Sequence, residues 1–206
     1  MSQIENSMIE TLRTDFGDVS KEFIEMGIDS ILEDGIFKDI PIIGTLSSVF
    51  KVGISIRDIY FIKKILSFLS SLEDTSIDDR NEFLSKHSNN SQLGEKLIFI
   101  LDRIDDLEKP KLIANLFKRY MDNEIDYLTF QRFSLIIEKC FIEDLKFLKN
   151  NINEDIITGF EALGLANSGL VSLASFDGGT FNEVDYNPET EYRINDLGKA
   201  IRQYAF

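Results

Sequence analysis

Residues 40–69 read IPIIGTLSSVFKVGISIRDIYFIKKILSFL, and the fold turns on what such a stretch can be. Between Ile40 and Phe50 there is no charge, and Lys51 is the only charged residue before Arg57. A membrane-spanning helix needs about 20 consecutive apolar residues. Here Lys51, Arg57, Asp58, Lys63 and Lys64 interrupt the run, and Pro41, Gly44 and Gly53 weaken it as one straight helix. A simple span is not expected. Asp39 ahead of Ile40-Pro41 marks a helix start, with an acceptor at the cap and a proline where its missing N–H costs nothing. From Arg57 onward the spacing is helical: Ile59, Ile62, Ile65, Leu66 and Leu69 share one face, with Arg57, Asp58, Lys64 and Ser67 roughly opposite. Gly53 lets two helices cross closely or marks a bend between them. The expectation is a central core helix or hairpin. The alternative is an amphipathic element that reaches a membrane or a partner after a conformational change, with Lys51, Arg57, Phe61, Lys64 and Phe68 as its contact residues. Local charge favours that alternative, since Lys38 to Lys64 holds five basic residues against Asp39 and Asp58.

Around this stretch the chain is acidic. Its 206 residues, 43% hydrophobic, suffice for a buried core in one or two domains. A net charge of −14 disfavours nucleic acid, whose phosphates require a basic surface. The single cysteine excludes an internal disulfide and fits a reducing cytoplasm. The segment MSQIENSMIETLRTDFGD has acidic residues where a secretory signal has a basic region and an apolar run, so no such signal is expected.

Helical spacing continues on both sides. Ile4, Met8, Ile9 and Leu12, then Phe23, Ile24, Met26, Ile28 and Ile31, predict two helices separated near Gly17. Ten acidic residues through Asp39, against Arg13, Lys21 and Lys38, give them a strongly acidic outer face. After Leu69, Ser76 caps a short helix ending near His87, with Asp79 favouring the free amides of its first turn. A second helix buries Leu93, Leu97, Ile100, Leu101 and Ile104, and Asp105-Asp106 and Pro110 bracket a turn into a third carrying Leu112, Ile113, Leu116, Phe117 and Tyr120. A longer helix is expected from about Leu128 to Leu148, burying Phe130, Phe133, Ile136, Ile137, Cys140, Phe141 and Leu145. Residues 1–150 thus predict a helical bundle with short turns.

Residues 151–206 change character. A helix is expected from Asn153 to Leu163 with Gly164 as its C-cap, then a strand from Val171 through Ser175. Asp177-Gly-Gly-Thr180 signals a turn, Phe181–Tyr186 and Glu191–Ile194 read as further short strands, and Asn195 caps a final helix to Tyr204. This order, closing on Tyr192-Arg-Ile-Asn-Asp-Leu-Gly198-Lys-Ala-Ile201, resembles the tail of a winged-helix domain. The fold class expected is therefore mainly α: a helical bundle followed by a small α+β winged-helix-like module. Such modules usually imply DNA binding, but nine acidic residues against Arg193, Lys199 and Arg202 would repel phosphate. The module reads as a protein-interaction or packing wing.

Few constellations carry chemistry. The segment Leu116-Phe-Lys-Arg-Tyr-Met-Asp122-Asn-Glu-Ile125-Asp-Tyr-Leu-Thr129-Phe130 resembles an EF-hand in outline. Aligning Ile125 with the loop's apolar position puts Lys118 at the first ligand, Asn123 at the glycine and Thr129 at the bidentate glutamate, so calcium is not expected although the turn is. Asp102, Asp105 and Asp106 read as a solvated helix end neutralised by Arg103 and Lys109. His87 is the only histidine and Cys140 the only cysteine, too few for a zinc site; Cys140 reads as a core residue. No phosphate-cradling glycine loop is present. No catalytic residue, cofactor or metal is expected, and the chain does not read as an enzyme.

The runs Asp34-Gly-Ile-Phe-Lys-Asp39-Ile-Pro-Ile-Ile-Gly44, Ile56-Arg-Asp-Ile-Tyr-Phe-Ile-Lys-Lys64 and Phe68-Leu69 resemble small bacterial and prophage proteins, some of which travel with phage-defence genes. The resemblance implies a bacterial, cytoplasmic regulatory component. The function expected is non-enzymatic interaction with another protein, without nucleic acid, the alternative being a membrane-acting effector that uses residues 40–69. The sequence does not specify the oligomeric state.

Overall fold

Thr11 joins the first two helices. In the computed structural model, which describes residues 3–16, 39–49, 55–86, 90–151, 156–174 and 190–206, α1 (Gln3–Arg13) buries Met8, Ile9 and Leu12 on one face. α2 (Pro41–Val49) buries Ile42, Ile43 and Leu46 and packs on α1. The sequence points to Asp39 as the cap of α2, but the acceptor comes from the neighbouring helix. The Ile42 amide donates to Thr11 Oγ1 at 3.0 Å, and that hydroxyl donates to the Ser7 carbonyl at 2.8 Å. Thr11 is fully buried, so a free amide of the first turn is satisfied inside the core.

Ser55 starts α3 (Ile56–Ser70). Its hydroxyl accepts from the Asp58 amide and the Asp58 carboxylate accepts from the Ser55 amide, a reciprocal capping box. The hydrogen bonds from the Ser55 hydroxyl and amide hold the Asp58 carboxyl below its usual range. α3 buries Ile62, Ile65, Leu66 and Leu69, as the spacing predicts, together with Phe61 and Phe68. It also buries Lys64 and Ser67, which the spacing places on the outer side. Residues 40–49 and 56–69 are thus two helices of the core, with 50–54 outside the described residues.

α4 (Ile77–Lys86) begins at Ser76 as expected, the Asp79 amide donating to Ser76 Oγ at 3.0 Å. α5 (Asn90–Arg103) and α6 (Lys109–Met121) bury the residues their spacing selects, Ile104 lying just beyond α5. The rings of α6 join those of other helices in one cluster: Phe117 lies 5.9 Å from Phe68, 5.7 Å from Phe83 and 6.0 Å from Phe130, and Tyr120 stacks on Phe130 at 5.6 Å. Tilted and edge-on rings at these distances add to the area they bury. Burial, then Tyr127 and Asp126, push the Tyr120 hydroxyl up to about 12.

The turn into α7 (Tyr127–Lys139) keeps the predicted outline. Asn123, aligned with the EF-hand glycine, has a φ of +58°. The Glu124 amide reaches the Arg119 carbonyl at 2.9 Å and the Asn123 amide reaches Tyr120 at 3.1 Å, closing α6 in a Schellman motif. Ile125 is buried, and Asp126 caps α7 by accepting from the Thr129 amide at 2.7 Å.

The long helix expected from Leu128 to Leu148 is two helices. α7 ends at Lys139 and α8 (Ile142–Asn150) starts after Phe141, whose backbone is extended (φ −66°, ψ 140°). Glu143 then occupies the first turn, where a carboxylate favours a helix start. Phe141, expected in the core, is 61% exposed, and Ile136 is only half-buried. Compact units span Met1–Phe130 and Gln131–Phe206, a division inside α7 and ahead of the boundary at 150 read from composition.

In the second unit α9 spans Phe160–Asn167, later than the expected helix, and Gly164 lies inside it instead of ending it. The left-handed residue is Gly169, with φ +77°, and the Leu170 amide reaches the Leu165 carbonyl at 2.9 Å. β1 (Val171–Leu173) pairs antiparallel with β2 (Tyr192–Ile194), Val171 opposite Ile194. On the other edge of β2, Ile157 exchanges hydrogen bonds with Tyr192 at 2.8 and 2.9 Å. Asn195 caps α10 (Asp196–Ala205) as predicted, accepting from the Gly198 amide at 2.9 Å. Among the described residues the chain is mainly helical with this one small sheet. The helix around Phe23, Lys51, Gly53, His87, the start of the helix read at Asn153, the turn at Asp177–Thr180 and the strand read at Phe181–Tyr186 lie outside them.

Candidate functional site

The residues proposed as contacts on α3 have separate fates. Arg57 is at the surface and donates through Nη2 to both oxygens of Asp102, at 2.8 and 3.2 Å. Lys64 is 6% exposed; its ammonium donates to the carbonyls of Asp102 at 2.7 Å and Ile104 at 2.8 Å. These are carbonyls at the C-terminal end of α5, where a cation complements the free acceptors and the helix dipole. Burial lowers the Lys64 ammonium from its ordinary range, against the pull of Asp102. Ser67 extends the same seam by donating to the Leu107 carbonyl at 3.1 Å. Phe61 and Phe68 are buried. Lys64, Phe61 and Phe68 therefore hold α3 in the bundle, and only Arg57 of the described four faces solvent. Lys51 lies outside the described residues.

The aspartates near this seam are accounted for one by one. Asp102 takes Arg57, Asp105 takes Lys109 at 2.6 Å, and Asp106 accepts from the Glu108 amide at 2.7 Å. Lys109 plays the neutralising part expected of it. The Arg103 guanidinium lies over the Phe99 ring, 5.0 Å from the centroid.

Arg80 has no counterpart in the sequence reading. It is 3% exposed. Its Nε donates to the Leu12 carbonyl at 2.9 Å, Nη2 to Thr14 at 3.0 Å, and Nη1 to the Thr75 carbonyl at 2.7 Å and hydroxyl at 3.0 Å. The guanidinium lies 4.5 Å from the Phe16 ring centroid. Burial lowers its proton affinity, with Asp15 opposing. Arg80 closes the end of α1 as Lys64 closes the end of α5. No local signal marks it, because Arg80 stands within an acidic helix start, Ile77-Asp-Asp-Arg80, whose polar surroundings suggest an exposed residue.

Two clefts flank Arg80's helix. One, of about 410 Å³, lies between α4 and α6, with Phe83 and Met121 among its apolar lining. Lys118 pairs with Asp74 at 2.9 Å across its wall, and Lys86 pairs with Glu82. The other, of about 400 Å³, is lined by Asp15, Phe16, Thr75 and Arg80. Lys118, at the first-ligand position of the EF-hand alignment, is thus occupied by an ion pair. Cys140 is buried, as a core residue is.

In the second unit the prominent surface feature is apolar. Phe141, Phe160 (68% exposed), Leu173 and Ile156 all face solvent, while acidic Glu143 and Glu161 adjoin Phe141 and Phe160 along α8 and α9. Comparison of the chain with protein-family models, with curated proteins and with solved structures gives no match.

Proposed function

We propose that this chain is a non-enzymatic interaction component that binds another protein through its second unit. The observation that carries the reading is the exposure of Phe141, Phe160, Leu173 and Ile156 in a unit of 76 residues. Monomeric surfaces carry single apolar residues without consequence, whereas large aromatics beside charged groups are what protein interfaces use as anchors. The acidic neighbours select a partner with a basic rim and work against phosphate. Residues 151–206 are read as winged-helix-like. Supporting that is the order Ile157, β2, β1 across the sheet, with α9 before β1 and α10 closing the unit. The partner is sought first among bacterial phage-defence and prophage proteins, on the resemblance of residues 34–44 and 56–69.

The membrane-effector reading requires α3 to leave the bundle, breaking the Lys64 and Ser67 seam and exposing Phe68. No helix among the described residues is long and apolar enough to cross a membrane. Gentle purification of the tagged full chain from its host tests the proposal. A stoichiometric protein partner lost on Phe160→Glu or Phe141→Glu is the expected result. Recovery of the chain alone, together with flotation on anionic liposomes, would replace it with the membrane reading.

A further inference from the structure

Asp144 is 8% exposed, in the first turn of α8. Its carboxyl is turned onto α9: a Cβ on Gly164 would lie 1.9 Å from Oδ2 and 2.6 Å from Cγ. The side chain that glycine lacks is the space the carboxyl occupies. Among the described residues no hydrogen bond or ion pair reaches that carboxyl. The charged groups that face it are both acidic, Glu161 on α9, one turn before Gly164, and Glu143 beside it on α8. α10 also packs on α8, but its cations are engaged elsewhere. Arg202 donates to the Asn151 carbonyl beyond the C-terminal end of α8, and Lys199 pairs with Asp196. On α8 itself, Lys146 pairs with Glu143 at 3.0 Å and Lys149 lies over the Phe206 ring.

We propose that Asp144 and Gly164 form a proton-operated latch between α8 and α9. With the carboxyl neutral, α9 seats closely on α8. With it ionised, a charge is buried beside Glu161 without a compensating cation, and burying an unpaired charge is strongly unfavourable, so α9 loosens. Burial first, then Glu161 and Glu143, hold the Asp144 carboxyl above the ordinary aspartate range in the seated state. The seated state therefore binds the proton more tightly than the released one. Its stability is fully present below the ordinary aspartate value and falls as pH rises through the seated-state value. α9 runs through Gly169 directly into β1, so loosening it reaches the sheet.

Amide hydrogen exchange of Leu163–Ser168, measured by NMR on the full chain across pH and corrected for intrinsic exchange, tests the latch. Protection in the parent chain should fall with pH by up to about tenfold per unit within the window. In Asp144→Asn it should stay flat, and in Glu161→Gln the fall should end at lower pH. The carboxyl carbon resonance of Asp144 reads the same titration directly, and does so even if the asparagine variant fails to fold. Parallel profiles in the parent and Asp144→Asn, or an Asp144 resonance titrating at or below the ordinary aspartate value, would overturn the proposal.

Discussion

Replacing Arg80 by methionine removes the charge while keeping much of the apolar stem, and the structure sets what should follow. Four hydrogen bonds disappear. The Leu12 bond is buried, and its orphaned carbonyl costs about 1–3 kcal/mol. The bonds to Thr14 and Thr75 are only part-buried, so water replaces them at about 0.5 kcal/mol each. Loss of the contact with Phe16 adds about 0.5–1 kcal/mol. Relief from desolvating the guanidinium offsets part of this, leaving a net loss of about 3 kcal/mol, inside the range for breaking a buried polar network. Urea unfolding at neutral pH, followed by far-ultraviolet circular dichroism, measures it. Arg80→Lys should recover less than half, because one ammonium cannot span the end of α1 and Thr75 as the planar fork does. A double-mutant cycle with Phe16→Leu should give a coupling of about 0.5–1 kcal/mol. A loss below about 1 kcal/mol at unchanged denaturant slope, or full rescue by lysine, would refute the assignment of Arg80 as the clasp on α1.

Lys64→Met should cost about 2 kcal/mol at neutral pH, since it strips two charged hydrogen bonds from the end of α5. Because burial lowers the Lys64 ammonium, the unfolded chain binds that proton more tightly, and parent stability gains as pH rises towards 10.5; the difference from Lys64→Met, read by denaturation at several alkaline pH values, should widen there. Thr11→Val orphans the Ile42 amide and should cost about 1–2 kcal/mol, whereas Thr11→Ser should cost less than half as much by the same assay. Gly169→Ala forces a side chain into the left-handed region and should cost about 1 kcal/mol, seen as a lower melting temperature.

Where periodicity and caps act locally, the sequence is legible. Ser76 and Asn195 start their helices, the faces of α5 and α6 fall where the spacing puts them, and Asn123 turns left-handed at the place the glycine alignment assigns. Two of the errors share one cause, which is that a helix end is completed by residues distant in sequence. Nothing in Ile59–Leu69 says that Lys64 faces inward, because its acceptors belong to residues 102 and 104. Thr11 caps a helix thirty residues later, and Asp39, the local candidate, loses to it. Phe141 reads as core because it keeps helical spacing with Phe133 and Ile137; the extended backbone that turns it outward carries no glycine or proline. Gly164 looks like a cap, yet its missing side chain serves Asp144 across a helix packing.

The same rule bears on the candidate surface. Lys64, Arg80 and Lys109 are buried at or beside helix ends, while Asp144 is the only acid that is buried among the described residues. Among the described residues three cations and one acid are thus buried, so the charge these residues leave exposed is more negative than their formal charge. An acidic exterior slows encounter with phosphate or anionic lipid and speeds encounter with a basic protein, most strongly at low ionic strength. On the proposed function, Phe141 and Phe160 supply the contact, and Glu143 and Glu161 beside them in sequence favour a partner with a basic rim.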